Sequence, residues 1–367
     1  MALHSRHKLQ IRQILVFGII WLVFGFIYII LEFGLLGNLT HYPSTGNIYS
    51  FKESFLIVSI GSLFMGLFQG AIEVFWLRTY FSKLALWKKF VYKSVFYLLL
   101  IILFFSVITL ITNAILLDSN IFSQKVFDSL LVFMSTYSFW TSVIYTGVIL
   151  DIAIFYSEIE SYLGNNVIMN YHGKYHTPNQ EKRIFMFLDM KSSTTIAEAI
   201  GHERYFELLK NYYADMTNAI LETSGEVYQY VGDEIVVTWK EKKGIRKNNC
   251  MHCFIKISNA INKNKDYYMT QFGLVPEFKA GFHIGEVTAG EIGIIKKDII
   301  YTGDVLNTTA RIQAECNTYN SKTLISEDLF HKLTEADNYS FNKIDKLLLA
   351  GKKEYVQLYD VVYNGTI

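Results

Sequence analysis

The chain has 367 residues, 51% hydrophobic and 16% aromatic, with a formal net charge of +1. So small a charge excludes the strong field of a nucleic-acid binder, and three cysteines in this length exclude a disulfide framework. The apolar content exceeds that of an average soluble protein, and the excess lies before about residue 160.

Residues 1–13 are polar and basic, with His4, Arg6, His7, Lys8 and Arg12. From Ile14 to about Leu36 the chain is almost wholly apolar, long enough to cross a bilayer core. No small-residue cleavage site follows, so this stretch reads as an anchor and not as a removed signal peptide. Further spans are predicted at about Ser54–Leu77, Val91–Leu117 and Val126–Leu150. The segment between the second and third spans holds Arg78, Lys83, Lys88 and Lys89, whereas 37–53 and 118–125 are poor in Lys and Arg. The positive-inside rule therefore puts the N-terminus, the 78–90 loop and everything after 156 in the cytoplasm. The alternative, a buried soluble bundle, is weakened by four separate stretches of spanning length. Glu32, Glu73, Lys93, Asp128 and Asp151 fall in or beside the spans. Snorkelling or pairing near span ends accounts for them more simply than function does, Glu73 being the least comfortable, about a turn inside. No histidine lies in a span, which argues against a haem-carrying anchor.

No helix breaker interrupts Val148–Leu163, so the fourth span is predicted to run on as a helix that could pass displacement to the C-terminal half. Residues 165–181, with Gly173 and Pro178, read as linker. Three parts result: a four-span anchor and regulatory domain over 1–155, a signalling helix and linker over 156–180, and a second domain over 181–367. From Arg183 strand and helix patterns alternate. A strand over Arg183–Asp189 precedes a helix over Glu203–Thr223 and a hairpin bent at Gly232-Asp233. The charge run 240–249 reads as a solvated loop, since no aromatics interleave it. A helix is predicted over Ile255–Ile261, and then paired strands Phe278–Ile284 and Glu286–Ile292 about Gly285. Asp304–Asn317 reads as a helix with Asp304 as N-cap, and a last strand pair spans Ser340–Leu348 and Glu354–Val362. This pattern is α+β with a mainly antiparallel sheet. Cys250-Met-His-Cys253 has CxxC spacing, but without a second ligand pair it reads as helix packing.

Asp189 and Asp233 end strand-like runs, each beside a turn. Taken singly, each is a turn or cap residue. Held together at one sheet edge, two carboxylates suit hard divalent cations, and two such ions can clamp a phosphoryl group. The turn Met190–Thr194 offers backbone N–H groups beside a helix start, a cradle for phosphate. Asn307 and Arg311, four apart, share a helix face, and an arginine can stabilise charge on a transferring phosphoryl group.

Phe187-Leu-Asp-Met-Lys-Ser-Ser-Thr194, then Val231-Gly-Asp-Glu234, then Val305-Leu-Asn-Thr-Thr-Ala-Arg311 resemble, in this order, the three signatures of a class III nucleotide cyclase catalytic domain. The resemblance covers about Glu181–Tyr363 and none of the N-terminal half. It implies a ferredoxin-like catalytic domain behind an all-α anchor of four transmembrane helices. The implied reaction turns a nucleoside triphosphate, ATP before others, into the 3′,5′-cyclic monophosphate and pyrophosphate. Two Mg2+ or Mn2+ ions per site would be held by Asp189, Asp233 and the backbone of Met190. Lys191, Ser192, Ser193, Thr194 and Lys352 (or Lys353) would bind the triphosphate. Gln229, Ile300 and Thr302 would read the base. In the family the matching Asn and Arg come from the partner protomer, so Asn307 and Arg311 imply a homodimer with shared active sites. The whole would sit in the bilayer of the cytoplasmic membrane, multi-pass, with the catalytic domain inside and no nucleic-acid partner.

The base-reading positions depart from the family pattern. Gln229 stands where adenylate cyclases carry Lys and guanylate cyclases Glu, and Ile300 stands where Asp, Thr or Cys is usual. An amide can donate or accept, so a guanylate or pyrimidine cyclase stays open. A diguanylate cyclase is a weaker reading of Tyr230-Val-Gly-Asp-Glu234, because a second Gly is missing and Val305–Arg311 goes unexplained. A catalytically inactive cyclase-fold sensor or receptor would have lost a metal Asp, the Asn or the Arg, and none is lost.

Overall fold

Four helices of the first half are long and apolar enough to cross a membrane. They are Leu9–Leu36 within α1 (Ser5–Leu36), α2 (Phe51–Tyr80), α3 (Leu86–Leu116) and Tyr137–Glu160 within α5 (Tyr137–Leu163). The computed structural model describes residues 5–43, 46, 48–81, 84–163, 175–295, 297–334, 338–347 and 355–365. The chain divides into two compact units, one over His7–Ile168 and one carrying Met169–Ile367.

In the first unit the fourth candidate span differs from the expected Val126–Leu150. A short helix, α4 (Gln124–Met134), ends at Ser135-Thr136, and the long helix starts only at Tyr137. The two hydroxyls explain the break. Ser135 Oγ and Thr136 Oγ1 donate to the carbonyls of Val132 and Phe133, and Thr136 Oγ1 accepts from Phe139 N, closing one helix and capping the next. Asp151 therefore lies well inside the span, where it accepts from Ser94 Oγ at 2.6 Å. The uninterrupted helix over Val148–Leu163 is present. α1 and α2 approach closely through glycines. A methyl on Gly66 would lie 2.7 Å from the Phe17 carbonyl oxygen, and one on Gly70 3.0 Å from Ile14 Cα.

The end of this bundle at which α1 starts and α5 finishes is tied by charge. Lys93 Nζ, buried, donates to Glu73 Oε1 and, at 2.5 Å, to Glu158 Oε1. Arg78 donates to Gln13 at 2.9 Å and to Ser157 at 3.0 Å. Glu73 opens a π-helical turn, Glu73–Leu77, inside α2. Pairing does account for Glu73 and Lys93, but inside the bundle and not by snorkelling.

The second unit is built on one sheet, in the order β2-β3-β1-β4-β6-β8-β7, with β5 pairing β4. The strands are β1 (Asn179–Met190), β2 (Glu226–Val231), β3 (Glu234–Lys240), β4 (Phe278–Ile292), β5 (Asp298–Thr302), β6 (Thr323–Ser326), β7 (Tyr339–Leu347) and β8 (Val356–Tyr363). Besides one short helix at Glu241–Ile245, the helices are α6 (Ser193–Ile200), α7 (His202–Glu222), α8 (Asn249–Lys263), α9 (Lys265–Phe272), α10 (Asp304–Thr318) and α11 (Glu327–Phe330). β1 reads as a continuous apolar run because both its faces are covered. Ile184, Met186 and Leu188 pack with Leu208, Tyr212 and Met216 of α7 and Cys253 and Ile257 of α8. Phe185 and Phe187 pack on the other face with Val236, Val287 and Val305.

The sheet is mixed, where the sequence pattern suggests a mainly antiparallel one. β4 and β6 are parallel, because α10 carries the chain back to the level where β4 begins before β6 starts. Gly285 also corrects the reading of its neighbourhood. β4 runs straight through it from Phe278 to Ile292, with no hairpin. A methyl there would lie 2.5 Å from Val305 Cγ2, so glycine serves helix-on-sheet packing at this point. Asp304 is the first residue of α10 and Gly303 its cap; Thr308 Oγ1 donates to Asp304 Oδ2 at 3.1 Å. The charge run 240–249 is partly helical, and its Asn248 is buried, donating to the Thr334 carbonyl at 2.8 Å. Cys250 and Cys253 lie in the core, where burial pushes both thiols up to about 12.

Candidate active site

Asp189 is the last residue but one of β1, and the β2–β3 hairpin turns on Gly232-Asp233, with Gly232 at φ +63°. A two-residue hairpin needs positive φ there, which glycine supplies. Because β1 pairs with β3, the strand end and the hairpin tip bring the two carboxylates side by side. Burial first, and then the Asp233 carboxylate, pushes Asp189 above its ordinary range, with Lys279 and Gln313 pulling the other way. Burial, with Asp189 and Asp233 beside it, pushes Glu234 up to about 7.

Two observations bear on a metal here. Two carboxylates held together repel unless a cation or proton lies between them. The buried Asp233 Oδ2 also has no hydrogen-bond partner among the described residues. The donors are oxygen only, which suits Mg2+ or Mn2+, so the residues fit such an ion. Among the described residues no group of three or more His, Cys, Asp or Glu side chains gathers to hold a metal. Backbone carbonyls such as that of Met190 and substrate oxygens would complete the shell.

Beside Asp189 opens a polar cavity of about 490 Å3, lined by Met190, Lys191, Ser192, Ser193, Thr194, Lys279, Cys316, Asn317 and Asn320. It brings together the expected phosphate-binding stretch 190–194. Ser192 adopts φ +55° just before α6, which turns the chain into that helix. The Lys191 N–H is committed to the Glu277 carbonyl at 2.8 Å, so the cradle is narrower than the motif suggests and rests on the N–H groups after it. The Met190 side chain is buried in the core, leaving its backbone to the site.

Lys279 and Gln313 escape sequence reasoning. Lys279 faces Asp189 across the β1–β4 pairing; its Nζ lies 3.6 Å from Asp189 Oδ2 and donates to Asn317 Oδ1 at 2.8 Å. Gln313 Nε2 donates to Asp189 Oδ2 at 3.1 Å. The one signal available is a polar residue within an otherwise apolar pattern, and strand register is needed to give it meaning.

Asn307 and Arg311 are on α10, the first exposed and the second half-buried. Val305, Thr309, Ile312 and Cys316 turn to the sheet. Arg311 is offset from Gln313 by roughly 200° about the helix axis, so Asn307 and Arg311 point away from the carboxylates of their own chain. Gln229 is exposed on β2, opposite Val236 across a bulge that makes Tyr228 the extra residue. On β5 it is Tyr301 that packs against Phe185 and Tyr228. By strand alternation Ile300 and Thr302 take the other face, with Thr302 Oγ1 donating to the Thr288 carbonyl at 3.3 Å. Lys352 lies outside the described residues.

The family model for the Adenylate and Guanylate cyclase catalytic domain matches residues 176–361. "Adenylate cyclase 2" of Rhizobium meliloti (strain 1021) is 36% identical over 181 residues, 49% of this chain and 50% of that one. "Adenylate cyclase" of Anabaena cylindrica is 29% identical over 183 residues, 48% of this chain and 36% of that one. The chain thus spans half or less of the length of these curated relatives. A bacterial light-regulated adenylyl cyclase of solved structure has a TM-score of 0.53 at 18% identity, over 62% of this chain and 67% of that one, a likeness of fold.

Proposed function

Since the chain belongs to the adenylate and guanylate cyclase catalytic domain family through residues 176–361, we propose that it is a membrane-anchored nucleotide cyclase acting on ATP as a homodimer. The observation that carries this reading is the geometry of α10. It turns Gln313 to its own Asp189 and Asn307 and Arg311 outward, which supports a site completed by a second copy. ATP is favoured because both sequence relatives carry the name adenylate cyclase.

The reaction forms a bond between the ribose 3′-oxygen and the α-phosphorus. It breaks the bond between the α-phosphorus and the bridging oxygen, releases pyrophosphate and passes the 3′-hydroxyl proton to solvent. Asp189 and Asp233, with the Met190 backbone, would hold Mg2+ or Mn2+. Bound there, the ions supply Lewis-acid stabilisation of the phosphates and a more acidic 3′-hydroxyl. The N–H groups and hydroxyls of Ser192, Ser193 and Thr194 receive the triphosphate, with Lys191, Lys279 and Lys352 neutralising its charge. Arg311 of the second copy stabilises charge developing on the reacting phosphoryl group, and Asn307 orients the ribose. Gln229 hydrogen-bonds the base through its amide, with Ile300 and Thr302 at the second base-reading position. The ferredoxin-like catalytic domain spans 181–367, the linker 156–180 and the four-span anchor 1–155. The anchor sits in the cytoplasmic membrane with the N-terminus and catalytic domain in the cytoplasm, and it regulates through the helix over Val148–Leu163.

The test uses the full-length chain in detergent, supplied with each of the four ribonucleoside triphosphates and Mn2+ or Mg2+. Products are identified by mass spectrometry. Cyclic AMP from wild type, none from Asp189→Ala or Arg311→Ala alone, and its return on mixing the two variants is the expected result. No cyclic product from any nucleotide would overturn the reading.

A further inference from the structure

Gln313 occupies a position that no part of the proposed reaction uses. Its side chain is buried, 7% exposed, and its Nε2 donates to Asp189 Oδ2 at 3.1 Å. The same oxygen has Lys279 Nζ at 3.6 Å. Oδ2 thus accepts a hydrogen bond from Gln313 and has the Lys279 cation nearby, and the two together hold the carboxylate in place. The donor is itself held firmly. Gly281 of β4 lets the Gln313 backbone approach so closely that a methyl there would lie 2.3 Å from its nitrogen and 2.6 Å from its Cα.

We propose that Gln313 is a positioning residue for metal binding, fixing the Asp189 carboxylate in the orientation it holds beside Asp233. The inference rests on the cyclase reading above. An amide suits this task because it donates a hydrogen bond without adding a charge that would compete with a cation for the carboxylate. Groups that orient metal ligands in this way typically contribute about 10–100-fold in metal affinity or activity. The same helix carries Asn307 and Arg311 on another face. One α10 therefore orders a carboxylate of its own site and lends two side chains to its neighbour's.

That double duty supplies a test that a merely structural role would not pass. Full-length Arg311→Ala and Asp189→Ala chains, differently tagged, are purified as mixed dimers, in which one site has intact carboxylates from the first chain and Arg311 from the second. Gln313→Leu is then added either to the chain supplying the carboxylates or to the chain supplying Arg311. The expected result is a loss of turnover, and a rise in the Mn2+ concentration for half-maximal rate, at least about tenfold larger for the first placement than for the second. Equal effects from both placements would mean that Gln313 only seats α10, and would overturn the proposal, as would no effect from either. Nucleotide-free Mn2+ binding to the full-length Gln313→Leu homodimer, read by electron paramagnetic resonance, gives a measure independent of turnover. It is expected to weaken by about 10–100-fold, and unchanged affinity overturns the proposal. If the parental mixed dimer is inactive, the shared-site reading fails and the Mn2+ titration alone decides the role of Gln313.

Discussion

Gly281→Ala concentrates the logic of the site in one methyl group. The added carbon would lie 2.3 Å from the Gln313 backbone nitrogen, whereas ordinary contacts begin at 3.4 Å. The obstacle is main chain in a helix, so no rotamer change relieves it, and α10 must retreat by about 1 Å. That retreat lengthens the 3.1 Å bond from Gln313 to Asp189 beyond hydrogen-bonding range. It also displaces Asn307 and Arg311, which ride on the same helix. Misplacement of this size costs about 100-fold in rate, and overpacking costs about 1–3 kcal/mol of stability. The assay is cyclic nucleotide production by the full-length chain beside a thermal unfolding curve. Gly290→Ala, on the same strand, serves as control, because the atoms nearest its methyl would be those of Pro178, at an ordinary 3.6 Å. If Gly281→Ala kept activity within about threefold of wild type, less than 1 kcal/mol of transition-state free energy, the argument that α10 is seated by this contact would fail.

Lys93→Met should lower stability in detergent by about 3–5 kcal/mol, because Glu73 and Glu158 lose their shared cation inside the bundle; a double variant adding Glu73→Gln should recover part of the loss, and no recovery would count against the pairing. Asp233→Asn should raise the metal-free melting temperature, since Asp189 loses a like-charged neighbour, and should abolish the stabilisation given by Mn2+; thermal shift with and without the ion checks both. His252, whose Nδ1 is 3.0 Å from the Tyr339 hydroxyl, has its pKa lowered by burial and by Lys256. The folded state therefore binds fewer protons there, so this contribution is present above 6.5, the ordinary value, and is lost as pH falls below it. Denaturant titrations of wild type and His252→Gln should diverge in that window, and parallel curves would refute the assignment.

How legible each feature is in the sequence depends on how local its signal is. β1 is readable because two covered faces demand an unbroken apolar run, and Gly232-Asp233 because a tight hairpin demands positive φ. Gly285 misleads because glycine marks a turn and a close approach equally well, and only the presence of Val305 above it decides between them. The break at Ser135-Thr136 is hidden by apolar residues on both sides, since its cause is hydroxyl-to-carbonyl bonding within a turn. Lys279 and Gln313 acquire meaning only from register and helix placement, being 90 and 124 residues from Asp189 in the chain. The parallel pairing of β4 with β6 depends likewise on where α10 returns the chain.

The Lys93 pairs have a consequence for how the protein is made. A lone lysine in a helix entering a bilayer costs about 2.5–3.5 kcal/mol. Glu73 precedes Lys93 by 20 residues and belongs to the helix synthesised just before it, so the two can pair as soon as that hairpin has formed. Glu158 comes 65 residues after Lys93, on the last of the four long helices. The second carboxylate is thus the last of the three charges to be synthesised, and its contact with Lys93 ties the fourth long helix to the hairpin before it. A chain truncated before residue 158 would keep the Lys93–Glu73 pair but lack the contact that ties the fourth long helix to it.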